Sequence, residues 1–462
     1  MRKAILLPTL ALLAGCAATT PHERPPAPLP AQWPHAAPAS GARDVAGLSW
    51  RDMLPDPRLQ ALIAAALEHN RDLRIAVARV AEARAQHGIV AADRLPHLNL
   101  NINHTRSRTP ADLGSGNNNQ ARQERRYDLA LAVPAWEVDF WGRLERLDDA
   151  ARAGYLASEA ARDAFHLSLI GEVASAYLST RELTERLALT RATVANRSEL
   201  RELVRHRRDV GLAGQLDYLA ADGALAAARA ELASQERALA QAENALNLLV
   251  GAWPTPLPDG LALGDQAIPL DLAIDLPAAA LLRRPDVQAA EQRLIAAEAN
   301  IDAVRAAFLP RIVLNLALGS ASRDLTGLFG GGSAAWNLAA GLAQPLFNAG
   351  RTEANVALTE ARRAAALAEY ERTLQQAFRE VADLLAARDR LAEQLAADQA
   401  QTAAQRERLR LAEARYRAGV TAWLDVLDAQ RESFNAQQAE VRTRAALLAS
   451  AVQLWKALGG GG

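Results

Sequence analysis

Trp136-Glu137-Val138-Asp139-Phe140-Trp141-Gly142-Arg143 opens the stretch that decides the fold, which runs on to about Val210. No proline occurs between Pro134 and Pro254, and alanine, leucine, arginine and glutamate dominate, all good helix formers. Apolar residues recur at helical spacing, at Phe165, Leu169, Val173 and Tyr177, then at Leu183, Leu187 and Val194. Read as one helix, roughly 65 residues at ~1.5 Å rise reach ~100 Å, well beyond the helix of a globular domain. Such a helix is a rod, a coiled coil or the wall of a tube.

Upstream of it, a helical pattern runs from near Asp56 to about Asp93. Leu98, Leu100 and Ile102 then alternate with asparagines, the period of a strand with one apolar face. Thr105 to Arg126 is polar and holds Gly114-Ser115-Gly116-Asn117-Asn118-Asn119, the composition of an exposed loop. Tyr127, Leu129, Leu131 and Val133 alternate again and stop at Pro134. Downstream, Val210-Gly211-Leu212-Ala213-Gly214 must break the helix, and glycine permits a tight reversal there. A return helix, Gln215 to Val250, follows, and Gly251 ends it. Pro254, Pro256, Pro258, Pro269 and Pro277 mark an irregular connector.

The plan then repeats. Asp286, Arg293, Ala297, Ala299, Leu309, Pro310 and Leu314 match Asp72, Arg79, Ala83, Ala85, Leu95, Pro96 and Leu100. Ile312, Leu314, Leu316 and Leu318 form a third alternating run. Ser320 to Ala335 is a glycine-rich loop, and Trp336, Leu338, Ala340 and Leu342 form a fourth run ending at Pro345. Gly350-Arg351 matches Gly142-Arg143, Gly419-Val420 matches Gly211-Leu212, and Leu424-Asp425 matches Leu216-Asp217. Shared alanine content explains matched alanines, but not matched Leu-Pro, Gly-Arg and glycine turns in one order. The expected organisation is a signal peptide over 1–15, a proline-rich lipid-anchored tether over 16–50 and a first repeat over 51–253 with its hairpin at 95–134. A connector over 254–277, a second repeat over 278–458 with its hairpin at 309–345, and a glycine tail over 459–462 complete it.

The anchor is read from the start of the chain. Arg2 and Lys3 precede an apolar stretch, Ala4 to Leu13, and then Leu13-Ala14-Gly15-Cys16. This is a secretory signal, and it resembles a bacterial lipobox, in which the cysteine is lipidated and becomes the first mature residue. The alternative is an ordinary signal with an incidental cysteine. Acyl chains anchor firmly, at ~0.8 kcal/mol per buried CH₂. Ala17, rather than aspartate, agrees with sorting to the outer membrane. No later segment has the uncharged apolar length of a membrane-spanning helix.

Other classes are excluded by what the chain lacks. Its 462 residues are 50% hydrophobic, which rules out global disorder, and a formal net charge of −1 gives no reason to expect a nucleic-acid partner. Cys16 is the only cysteine, so neither an internal disulfide nor a cysteine metal site is possible. The 8 histidines are scattered, and His69, His166 and His206 have no partner at ligand spacing. No H-E-x-x-H, G-x-S-x-G or phosphate-binding glycine loop occurs. No catalytic residue, metal or cofactor is therefore expected. Met1 and Met53 are the only methionines, so no soft-metal cluster is present.

Two hairpins supply four strands, each about 9–11 residues, enough to cross an outer membrane when tilted. Four strands cannot close a barrel, and open edges are not tolerated in lipid, so membranous strands require several copies to share one barrel. A cyclic oligomer does this. Trp136, Trp141 and Trp336 lie near strand ends, where aromatic girdles sit. The alternative is a water-soluble sheet with its leucines in a core.

The chain resembles the TolC-like outer-membrane efflux factors, in particular the lipoprotein branch serving RND-type pumps. The resemblance covers nearly all of residues 16–458. It is carried by the lipobox, Glu137-Val138-Asp139-Phe140-Trp141-Gly142-Arg143, Ala157-Ser158-Glu159-Ala160-Ala161-Arg162 and Arg283-Arg284-Pro285-Asp286-Val287. Pro345-Leu346-Phe347-Asn348-Ala349-Gly350-Arg351, Tyr416-Arg417-Ala418-Gly419-Val420 and Leu427-Asp428-Ala429-Gln430 complete it. The resemblance implies a mainly α, internally duplicated fold, in which a homotrimer builds a 12-stranded outer-membrane β-barrel and a periplasmic α-barrel tube. It implies a passive duct fed by an inner-membrane RND-type pump through a periplasmic adaptor (membrane fusion protein). It also implies a gate at the periplasmic tip formed by Leu424, Asp428 and Arg431, which are spaced to share one helix face. A leucine ring can exclude water, and an aspartate ring countered by arginine can hold a gate near balance. Asp217 and Asp425 occupy the equivalent place in each half, either as gate support or in an inter-helix hydrogen bond. Val210, Gly211 and Leu212, with Ala418, Gly419 and Val420, are turn residues and, by the resemblance, adaptor-docking positions. The competing structural reading is a periplasmic coiled-coil lipoprotein that braces the envelope without a pore. It leaves the four alternating runs unexplained.

Overall fold

The computed structural model describes residues 22–34, 43–44, 48–111, 121–253, 256–273 and 280–460. The expected signal peptide, Cys16 and part of the tether lie outside the described residues, as do the loop at 112–120 and the end of the glycine tail. In chain order the elements are β1 (Arg43–Asp44), α1 (Trp50–Met53), α2 (Pro57–His69), α3 (Arg71–Ala92), β2 (Asn99–Thr109) and β3 (Arg122–Val138). Then come α4 (Arg143–Asp209), α5 (Gln215–Val250), β4 (Leu272–Ala273), α6 (Pro285–Arg305), β5 (Arg311–Ser322), β6 (Ala334–Ala343), α7 (Arg351–Arg417) and α8 (Trp423–Ala457). The decisive stretch is indeed one helix: α4 and its repeat counterpart α7 each have 67 residues. Among the described residues no helix is apolar enough to cross a membrane.

The chain forms two compact units. Of the described residues, one unit contains those of Arg79–Ser158 and Ala289–Tyr370 with residues 22–25; the other contains those of Pro26–Ala78, Glu159–Gln288 and Glu371–Gly462.

The first unit holds the sheet. Its order is β2-β3-β5-β6, every pairing is antiparallel, and among the described residues β2 and β6 have free outer edges. Directly opposed residues place one apolar row across all four strands, Leu100, Leu131, Leu318 and Trp336. Val133, Leu316 and Leu338 form the next row, on the same face. The opposite face pairs Asn99 with Ala132 and Asn101 with Ala130, which in turn face Ala317 and Gly319. A soluble sheet would bury its leucines. Here Leu100 is 62% exposed, Leu318 55%, Trp336 75% and Leu342 69%. Among the described residues the apolar face therefore has no protein cover, and the water-soluble alternative loses its premise.

Three boundaries differ from the sequence reading. First, β3 continues past Pro134 to Val138, because a bulge absorbs the proline. Val133 pairs with Leu316 and Trp136 with Leu314, so β3 gains one residue on its partner there. Pro134 has no N–H to lose, Ala135 adopts φ 49°, and its N–H donates to Asn315 Oδ1 at 2.8 Å. The extra residue keeps Trp136 on the apolar face. Second, the strands extend into the expected loop, to Thr109 and from Arg122, where polar residues satisfy a ladder as well as apolar ones do. Third, the helical pattern over Asp56 to Asp93 is split at Asn70. Its side-chain oxygen accepts the Leu73 N–H at 2.8 Å, and its amide donates to the Leu249 carbonyl at 2.8 Å, so one residue caps α3 and ties it to α5.

The strand-to-helix corner explains the opening motif. Asp139 caps α4, accepting from Leu144 N–H at 3.0 Å and Glu145 N–H at 2.8 Å, and Gly142 supplies φ 72°. Glu137 receives both prongs of Arg143 at 2.8 Å and of Arg311 at 3.0 and 2.6 Å, joining β3, α4 and β5.

The second unit is held by long helices packed on Leu169, Val173, Tyr177, Val250, Leu385, Val452 and Trp455, all buried. At its centre Asp56, fully buried, caps α2 through Arg58 N–H at 2.8 Å. Its other oxygen accepts from Tyr177 Oη at 2.7 Å, Gln266 Nε2 at 2.7 Å and Leu261 N–H at 2.9 Å. Burial opposes the charge, but these donors outweigh it and hold the Asp56 carboxyl below its ordinary range. One carboxylate thereby fastens α2, α4 and the connector together.

Candidate functional site

The expected site residues gather where the four longest helices of the second unit turn. α4 ends at Gly211 and α7 at Gly419, and the two ends are built alike. The Gly211 N–H donates to Arg208 O at 2.9 Å and the Leu212 N–H to Arg207 O at 2.7 Å. The Gly419 N–H donates to Tyr416 O at 3.0 Å and the Val420 N–H to Arg415 O at 2.9 Å. These are paired Schellman closures, which need a left-handed residue, and the glycines adopt φ 78° and 74°. Nothing lies within 4 Å of a Cβ built on either glycine, so backbone conformation rather than crowding demands it.

The turns are packed against one another. Leu200 and Val204 of α4, Ala221 of α5, Tyr416 of α7, and Trp423 and Val426 of α8 form one buried cluster. The Arg207 guanidinium lies 4.7 Å from the Tyr416 ring centroid, and that of Arg208 4.3 Å from the Tyr218 centroid. What remains exposed is the rim: Val210 at 70%, Leu212 at 78%, Val420 at 65% and Leu424 at 63%.

Asp428 and Arg431 meet as their spacing suggested, at 2.7 Å. Sequence reasoning missed the third member. Arg408 of α7 reaches Asp428 Oδ2 at 2.6 Å, so the carboxylate sits between two guanidiniums on different helices. Spacing along α8 could not reveal a partner on another helix. Arg431 also contacts Glu432 at 3.2 Å, giving alternating charges on an exposed surface. Leu424 lies one turn before Asp428 on the same face and is exposed.

Among the described residues Asp217 and Asp425 are bonded within their own turns rather than across to a neighbouring helix. Asp217 accepts the Gly214 N–H at 3.2 Å, and Asp425 accepts the Thr421 hydroxyl. Each is satisfied inside its own turn, because an aspartate three residues into a helix reaches back to the cap more readily than across to a neighbour. Among the described residues no cluster could hold a metal ion.

The sequence matches the profile of the family described as outer membrane efflux protein over residues 62–252 and 276–460. It is 42% identical over 450 residues to the outer membrane protein OprJ of Pseudomonas aeruginosa, covering 97% of this chain and 94% of that one. It is 37% identical over 465 residues to the probable outer membrane lipoprotein SilC of Salmonella typhimurium, covering 99% and 98%. The crystal structure of the open state of the Neisseria gonorrhoeae MtrE outer membrane channel matches with a TM-score of 0.88 at 36% identity. That match covers 96% of this chain and 98% of the other.

Proposed function

We infer the function from one premise: the chain belongs to the outer membrane efflux protein family. It is the outer-membrane channel component of an efflux system, a passive duct that carries substrates to the exterior. Members of this family are channels and transport proteins rather than enzymes. The observation that carries the reading is the four-stranded sheet, with an exposed apolar face and two unpaired edge strands. Lipid satisfies the face, and further copies satisfy the edges. Three chains of four strands give a 12-stranded barrel, continued into the periplasm by a tube of the long helices.

The finer parts of the proposal concern partners and gating. Substrates enter from an inner-membrane RND-type pump through a periplasmic adaptor, which docks on Val210-Gly211-Leu212 and Ala418-Gly419-Val420. The exposed apolar rim at both turns supports that docking. Leu424, Asp428 and Arg431, with Arg408, form the gate. A thioether-linked lipid on Cys16 anchors the chain, in keeping with the relative SilC, a probable outer membrane lipoprotein.

The test is conductance of the purified chain in planar lipid bilayers, alongside drug susceptibility of an efflux-deficient strain expressing it. Ion-conducting events and restored resistance are expected. A chain that extracts with the membrane, yet never conducts and never restores resistance, is a brace rather than a duct.

A further inference from the structure

At the hairpin end of β2 and β3 the charges divide by face. On the face carrying Asn101 and Asn103, Arg122 pairs with Glu124 at 2.8 Å and Arg126 with Asp128 at 2.8 Å. The apolar face is different. Past Leu100 opposite Leu131 and Ile102 opposite Leu129 come His104 opposite Tyr127, then Arg106 opposite Arg125, then Arg108 opposite Gln123. The three arginines are exposed. Among the described residues none of them meets a carboxylate, and Arg106 donates to Gln123 Oε1 at 3.4 Å. Like charges directly opposite on neighbouring strands are destabilising, so the Arg106–Arg125 row costs stability unless an anion lies against it.

Depth places that row. Ile312 and Ser322 bound the apolar face of β5, and Ser322 is level with Tyr127 and His104. Their separation is about 34 Å along the strand at ~3.4 Å per residue, or about 25 Å along the barrel axis at a tilt of ~40–45°, the height of an outer-membrane apolar band. The stacked rings of His104 and Tyr127, with centroids 4.3 Å apart, then sit where an aromatic girdle sits. Arg106, Arg125 and Arg108 fall in the next two rows outward, at headgroup level. This is the strand end away from the helices, hence the outer leaflet.

We propose that Arg106, Arg125 and Arg108 bind the phosphate groups of a phosphorylated glycolipid of the outer leaflet, of the lipid A type. The proposal rests on the reading of the sheet as a lipid-embedded barrel wall. Two guanidiniums facing each other on adjacent strands each offer a fork of N–H donors, which suits a phosphate monoester, and the anion removes their mutual repulsion. The neutral pairing of the inner face marks the contrast: among the described residues at this end of β2 and β3, arginines turned away from lipid have carboxylates, and those turned toward it have none.

Native mass spectrometry of the intact detergent-extracted protein, titrated with bisphosphorylated lipid A, tests this. Arg106→Gln with Arg125→Gln should weaken lipid A binding by at least about tenfold, as expected for losing two charge-assisted forks. Arg122→Gln with Arg126→Gln, on the inner face, should leave it unchanged. Dephosphorylated lipid A should bind the native protein as weakly as lipid A binds the double variant. Equal binding of the phosphorylated and dephosphorylated lipids, or equal binding by native protein and the double variant, overturns the proposal. So does full competition by millimolar inorganic phosphate, which would assign the row to a free anion. Bilayer conductance of the same preparations separates the failures. A double variant that conducts normally and still holds lipid A sinks this inference alone, whereas native protein that never conducts sinks the channel reading beneath it.

Discussion

The two helix turns share a backbone and differ in their charge. Gly211 and Gly419 close their helices with the same pair of hydrogen bonds and the same left-handed φ. Where the second turn carries Asp428 and Arg431, the repeat places Ala220 and Gly223 in the first, and opposite Arg408 of α7 stands Leu200 of α4. Leu200 is buried in the cluster between the turns, whereas Arg408 is exposed and paired. Duplication thus preserved what the reversal needs, a glycine and a cap. Side chains that only one copy requires were free to diverge. At these positions the first half packs and the second carries paired charges, while the first turn places its own inter-helix pair elsewhere, Arg201 with Asp222 at 2.9 Å.

Four outcomes break or sharpen that contrast, in order of size. A reference for damage unrelated to either turn comes first. Asp56→Ala removes a buried acceptor of several hydrogen bonds and should cost about 3–5 kcal/mol in chemical denaturation, with both turns equally affected. The same residue sets an acid limit. Its folded-state value lies below the ordinary 3.8, so its contribution is complete above that pH and is lost as pH falls through the lower folded value. The native protein should therefore lose stability in that acid window by more than the variant does. Equal pH profiles would remove Asp56 from the account.

Next comes the charged turn. Asp428→Ala with Arg431→Ala removes the contact of Arg431 with its neighbour Glu432 and breaks two longer-range exposed ion pairs per chain. At ~0.5 kcal/mol each, three chains lose ~3 kcal/mol, a ~100-fold shift toward the open state. Bilayer conductance and sensitivity to large antibiotics should both rise. Unchanged values would show that the two turns are functionally alike and that the asymmetry is ornamental.

The glycines are expected to behave identically. Gly211→Ala and Gly419→Ala should each cost about 1 kcal/mol through the left-handed φ, speeding amide exchange around its own turn roughly fivefold. A large difference between them would mean the closures are not equivalent. The smallest effect belongs to the caps. Asp217→Ala and Asp425→Ala should each lose about 0.5–1 kcal/mol of local helix stability and leave conductance as it was. Leak from either variant would return these residues to the gate.

Much of this was legible in the sequence, for identifiable reasons. Long helices announce themselves by the absence of proline from Ala135 to Trp253 and again after Pro345. Strands on a two-faced sheet announce themselves by alternation, and Leu98 to Ile102 and Ile312 to Leu318 do so plainly. Pro134 misled because a bulge can absorb a residue that lacks an N–H, and bulges leave no periodic trace. Asn70 misled because its local cap on Leu73 leaves the helical period unbroken, and its second bond, to Leu249 of α5, lies far away along the chain. Arg408 and the partners of Asp56 were invisible for the same reason. Their meaning lies in contacts between helices that periodicity along one helix does not encode. The arginines at 106, 108 and 125 were hidden differently: they read as loop polarity until the register put them on the leucine face.

The central claim is that one chain supplies a third of a closed barrel. The mass of the detergent-extracted particle, read by native mass spectrometry, tests it most directly. A barrel shared among three chains predicts a species of three copies, each near the 49.5 kDa of the full sequence. A single chain that stays in solution after the detergent is withdrawn would contradict it.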